Sequence, residues 1–224
     1  MHSYNSALKK ILFLVIFVMA GIPLFAHDKV IDVENMSGPD ALWLYFKLGF
    51  EHILPLGLDH ILFVLSLFLL SPKLKPILTQ SLAFTLAHSV TLGLAMYGVI
   101  KPSAEIVEPL IALSIVYVAL ENIFSPKLKA SRIIVVFLFG LVHGMGFAGV
   151  LQDLGLPENT YLSSLVMFNV GVEAGQVAII LAAWFLVARW FKNQDTYRKY
   201  VVIPLSVLIA LVAGFWTIQR IFFN

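Results

Sequence analysis

Six stretches of this chain, residues 53–70, 77–99, 106–124, 133–151, 162–187 and 201–221, are apolar over the length a helix needs to cross a bilayer. A hydrocarbon core about 30 Å thick takes roughly 20 residues of helix. Inside it the backbone must satisfy its own hydrogen bonds, which leaves helices or a closed barrel. Runs this long read as helices. The expected fold is all-α: a polytopic membrane helix bundle of six transmembrane helices after an N-terminal signal sequence. Hydrophobic residues make up 60% of the chain and charged residues 12%. A soluble domain is roughly half apolar and about a quarter charged, so a large soluble domain is excluded. A net charge of +2 is too small to argue for nucleic acid. With no Cys, disulfides, thiolate metal sites and cysteine nucleophiles are excluded too.

Three segments are expected. Residues 1–26 carry Lys9-Lys10, a short apolar core from Ile11 and a small residue, Ala26, before the chain turns polar. That is the pattern of a signal peptide cleaved after Ala26, the alternative being an uncleaved helix. Residues 27–52 form a periplasmic arm and an interfacial helix, because Trp43, Tyr45 and Phe46 beside Lys47 suit the headgroup level. Residues 53–224 are the six-helix transmembrane domain, with Pro55 and Gly57 interrupting the helical run before its first span.

Basic residues set the orientation. Lys9, Lys10, Lys73, Lys75, Lys127, Lys129, Arg132, Arg189, Lys192, Arg198 and Lys199 fall in alternate segments, eleven against the four of Lys29, Lys47, Lys101 and Arg220. Both mature ends are then external, in the inner (cytoplasmic) membrane of a bacterium. A weak parallel repeat is also visible. Ser-Pro-Lys-Leu-Lys occurs at 71–75 and 125–129, each followed by a helix with Phe-x-x-x-His, at Phe84/His88 and Phe139/His143.

Ionisable residues inside such spans are costly and usually functional. Asp59 and His60 fall in the outer half of the first span, and His88, His143 and Glu173 near mid-span. At helical spacing Ser81, Thr85, His88 and Ser89 share one face, as do Ser114, Tyr117 and Glu121, and Asn169, Glu173 and Gln176. Gly140/Gly144 and Gly171/Gly175 are small-residue faces that let helices approach closely. His and carboxylate without Cys suit a borderline divalent ion, Ni²⁺, Co²⁺ or Zn²⁺. The plain alternative is a buried polar network that only sets helix register, with Ser81 and Ser114 bonding the backbone or a neighbouring helix and His52 resting at the headgroup level.

The run His52-x4-Gly57-x-Asp59-His60, followed by Ile-Leu-Phe, resembles the first-span signature His-Pro-x-x-Gly-x-Asp-His of the HupE/UreJ family of nickel and cobalt permeases. Here the His-to-Gly spacing is one residue longer. That family's second signature, Phe-His-Gly-x-Ala/Val-x-Gly-x-Glu, is partly matched by residues 142–148, with Glu173 in the next span as a substitute acid. The pattern is closest to the divergent second branch of that family. The resemblance implies a metal permease of the cell envelope, with His52, Asp59, His60, His143 and Glu173 as ligands. The residues themselves add His88.

The expected function is a membrane permease for a divalent transition-metal ion, nickel or cobalt first. Its metal set is His52, Asp59, His60, His88, His143 and Glu173, with no catalytic residue assigned. Two alternatives stand beside it: an intramembrane zinc-dependent hydrolase, and an accessory membrane protein of a metalloenzyme system. The expected partners are the metal ion and the lipid bilayer, with a homo-oligomer left open and no nucleic acid.

Overall fold

A computed structural model describes residues 36–223, apart from 71, 72, 126, 188, 190 and 192. The expected signal segment and its cleavage point lie outside the described residues. The described residues form helices and short connections: α1 Gly38–Ile53, α2 Leu58–Leu70, α3 Leu74–Met96, α4 Ala104–Phe124, α5 Arg132–Gly146, α6 Ala148–Leu154, α7 Tyr161–Leu186, α8 Gln194–Tyr197 and α9 Ile203–Phe222. Among the described residues five segments are long and apolar enough to cross a membrane. They are α3, α4, α5 with α6, α7, and the run Gln194–Phe222 that ends in α9. The pair α1–α2 passes the same test jointly but is bent by 68°. This is a multi-pass membrane protein, with span boundaries within a few residues of those expected except at 201–221, where the helical run starts earlier, and at 53–70, where the test is passed only by the bent pair that starts at Gly38.

The bend has a local cause. Pro55 has no N–H to donate and disfavours helix in the residue before it. At Gly57 a Cβ would lie 2.1 Å from the carbonyl oxygen of His52, so only glycine lets the chain fold back there. Ile61 N then bonds Gly57 O at 2.8 Å and α2 begins.

The stretch expected at the headgroup level is the body of α1, and it packs into the bundle. Ala41, Tyr45, Gly49 and Ile53 form a buried stripe at i, i+4, i+8 and i+12. Contact is backbone to backbone: a Cβ on Gly49 would lie 1.9 Å from Phe168 O, and one on Gly171 2.1 Å from Phe46 O. The aromatics that suggested an interface sit on a helix whose glycine face meets α7. Both expected small-residue pairs are used, since Gly140 and Gly144 press α5 onto the backbone of α3 at Phe84 and His88. Large apolar side chains such as Leu82, Leu86, Val166 and Val170 remain exposed, as lipid-facing surfaces require.

At one end of the bundle Arg132 is not a loop charge but 1% exposed. It donates to Asn122 Oδ1 at 3.0 Å and Ser66 O at 3.3 Å, and pairs with Glu121 at 3.0 Å. Arg198 donates to the carbonyls of Asn122, Ile123 and Ser125, closing the C-terminus of α4. We call this the basic end. Replacing Arg132 by Met leaves Glu121 and Asn122 without their partner, so a loss of about 3–5 kcal/mol is expected. It would be read as a lowered unfolding midpoint of the detergent-solubilised protein.

Candidate metal centre

His52 lies in the last turn of α1 and His60 in the first turn of α2, so the short bend between them folds the two rings together. Their centroids are 4.6 Å apart. His88 comes from α3, with its ring 6.0 Å from that of His60. One ring nitrogen each from His52, His60 and His88 lies within 4.8 Å of the others. A tetrahedral ion with bonds of about 2.0–2.1 Å holds its ligand nitrogens about 3.4 Å apart, so small ring rotations close the set. His143, on α5, places its ring 5.0 Å from His60, beside the trio.

The hydrogen bonds behind these rings decide which nitrogen is free. Asn169 Nδ2 donates to Leu165 O, which turns its Oδ1 toward His88 Nδ1 at 3.2 Å. That carbonyl oxygen accepts, so Nδ1 carries the proton and Nε2 keeps its lone pair. Ser114 Oγ donates to Ile111 O and therefore accepts from His143 Nε2 at 2.9 Å, leaving Nδ1 free. Among the described residues His52 Nε2, His60 Nε2, His88 Nε2 and His143 Nδ1 are buried without a hydrogen-bond partner. Orphaned imidazole nitrogens in one neighbourhood need an explanation, and a shared cation would supply one for the trio of His52, His60 and His88. Phe147 at 3.9 Å from the His52 ring, Phe84 at 5.0 Å from His143 and Phe63 at 5.1 Å from His143 wall the cluster with apolar surface.

A cavity of about 750 Å³ opens onto His52, His60 and His143. Its mouth carries Glu51, Asp59, Glu108 and Arg220. Asp59 stands here, not among the histidines. Arg220 holds it at 2.9 Å and also donates to Glu108 O at 3.1 Å. Glu173 is likewise outside the trio. Along α7 it is Asn169 that faces His88, and Glu173 one turn later meets Ser81 at 3.2 Å and Thr85 at 2.5 Å. The suspected repeat is not matched in its contacts. His88 leans on an asparagine of α7 and His143 on a serine of α4, while Phe84 walls the site and Phe139 packs on Tyr117.

A family model described as HupE / UreJ protein matches residues 27–220, most of the chain and all of this site. The chain belongs to the HupE/UreJ family. No curated protein and no solved structure matches it. Within this HupE/UreJ protein the residues that orient the histidines, Asn169 and Ser114, were legible in the sequence only as members of polar stripes. Neither is ionisable, so neither drew attention as a site residue. Removing an outer-shell partner typically costs 10–100-fold in metal affinity. Asn169→Ala and Ser114→Ala are therefore each expected to weaken Ni²⁺ binding by about 10–100-fold, measured by competition with a chromophoric chelator.

Proposed function

We propose that this HupE/UreJ protein is a permease that passes a divalent transition-metal ion, nickel or cobalt, across a bacterial inner membrane. The observation that carries the reading is the convergence of His52, His60 and His88 at the end of a carboxylate-ringed cavity, each with a free ring nitrogen. Glu51, Asp59 and Glu108 attract the ion at the cavity mouth. His60 and His143 replace its first waters, and His88 completes its ligands. The ion is cargo, not a resident cofactor. Three neutral imidazoles leave its double charge uncompensated in a low-dielectric interior, which favours brief occupancy and onward passage.

The distribution of basic residues supports a cavity mouth on the periplasmic side, and with it import as the direction. Polar side chains continue past His88 through Asn169, Thr85 and Glu173 toward the basic end. A spread of ligands along a path favours passage over a closed hydrolytic centre. Reconstituted in liposomes, the protein should admit Ni²⁺ or Co²⁺ to a trapped fluorescent chelator well above the rate of empty vesicles. Equal rates would reject a permease.

A further inference from the structure

The cavity that leads to the histidines holds a cation of its own. Among the described residues that line it, Arg220 is the only Lys or Arg. It lies in the last turn of α9, with the indole of Trp216, four residues earlier, beneath its guanidinium at 5.8 Å. From there it reaches two other helices. Nη2 donates to Asp59 Oδ2 of α2 at 2.9 Å, and Nη1 donates to Glu108 O of α4 at 3.1 Å. Asp59 precedes His60 in the first turn of α2, so the ion pair stands one residue from a histidine of the trio.

Two observations separate this pair from an ordinary surface bridge. Its side chains are only 21% and 26% exposed, whereas those of Lys47 and Glu51, paired on α1, are 58% and 40% exposed and 3.7 Å apart. Exposed pairs of that second kind hold little. Asp59 also has an oxygen to spare, because Oδ1 is buried without a hydrogen-bond partner. The carboxylate is half used, and a cation that approaches it meets the guanidinium beside it.

We propose that Arg220 is a specificity-determining residue of the cavity, a tethered cation that keeps Asp59 occupied until a dication displaces it. The proposal rests on the permease reading, since it needs an ion bound for the histidines. A monovalent ion brings the same charge as the guanidinium and none of its hydrogen bonds, so the exchange is unfavourable. A dication at the same separation is attracted twice as strongly. That attraction acts through a hydration shell, and a cavity of about 750 Å³ has room for one. The displaced side chain has an outlet, because it is long and partly exposed on the last turn of its helix. Its departure also limits the charge brought into the membrane: one positive charge leaves the cavity as two enter.

The chain contains no Cys, so Arg220→Cys in the full-length protein offers a single place for a tag. An aminoethyl thiosulfonate restores a positive charge there, and a methyl thiosulfonate does not. Both tags sit on the same variant, so any structural effect of the substitution is common to the two. Stopped-flow absorption in detergent follows Co²⁺ as it reaches the histidines. The methyl-tagged form should load about 10-fold faster than the aminoethyl-tagged form, the size expected for removing one cation from a charged cleft. Arg220→Gln should load as fast as the methyl-tagged form. Added methylguanidinium should slow Arg220→Gln again, a comparison that does not need the cysteine variant. Replacing choline by Na⁺ at constant ionic strength should slow Arg220→Gln and leave the parent unchanged. Equal rates for the two tagged forms, or an Arg220→Gln protein indifferent to methylguanidinium and Na⁺, would overturn the proposal while the parent still binds Co²⁺. A parent that binds no Co²⁺ would reject the permease reading and the proposal with it.

Discussion

His60→Ala and His88→Ala should each weaken Ni²⁺ and Co²⁺ binding by more than about 100-fold, beyond the range typical for loss of an outer-shell partner. His60 is the hub of the cluster, with the rings of His52, His88 and His143 all within 6.0 Å of its own. Removing it takes away a ligand and lets the other three separate. His88 is oriented by Asn169 before any ion arrives, so its loss removes a preorganised donor. Both variants should still fold, because α3 and α5 are held by glycine contacts and not by the imidazoles. Equilibrium dialysis against trace nickel measures the first effect, and size-exclusion profiles measure the second. A parent-like affinity in either variant would remove that histidine from the site.

Gly144→Ala should be at least as damaging, although it deletes no ligand. The added methyl would lie 2.2 Å from His88 O and 2.4 Å from Thr91 Oγ1. Neither neighbour can yield cheaply, since one is helix backbone and the other donates to Leu141 O at 2.7 Å. The helices must part by roughly an ångström, and overpacking of this kind costs about 1–3 kcal/mol or more. Because the clash is at the residue that presents His88, stability and metal binding should fall together. The surface glycine Gly214, with nothing within 4 Å of an added Cβ, should tolerate the same change. Thermal unfolding of the two variants in one detergent makes the comparison. A Gly144→Ala protein as stable as the parent would mean that α3 and α5 are not in close backbone contact.

The fold was largely readable because lipid imposes few solutions. Apolar length marked the spans, and small-residue spacing marked the faces of α5 and α7 that touch α3 and α1. The histidines were also visible, since each interrupts an apolar run. What spacing could not supply was which ionisable residues meet. Asp59 and His60 are adjacent in sequence, yet one faces Arg220 at the cavity mouth and the other the imidazole cluster. Helical period places Asn169 and Glu173 on one face of α7, but only the register against α3 decides that Asn169 takes His88 and Glu173 takes Thr85. The packing of the α1 stretch was hidden for a related reason. Its aromatic content argued for the headgroup level, while Gly49 on α1 and Gly171 on α7 are what admit it against α7. Arg132 illustrates the limit of charge counting: it lies among the basic residues that set orientation, but its own side chain is spent inside the bundle.

In the proposed permease an ion is held inside the membrane by imidazoles from three different helices. X-ray absorption at the cobalt edge of the Co²⁺-loaded protein measures this directly. The expected spectrum carries the multiple-scattering signature of histidine, fitted by about three imidazole nitrogens near 2.0–2.1 Å as for comparable histidine-bound ions. In a His52→Ala, His60→Ala, His88→Ala triple variant that signature should be lost. A spectrum fitted by oxygen ligands alone, or one unchanged in the triple variant, would contradict it.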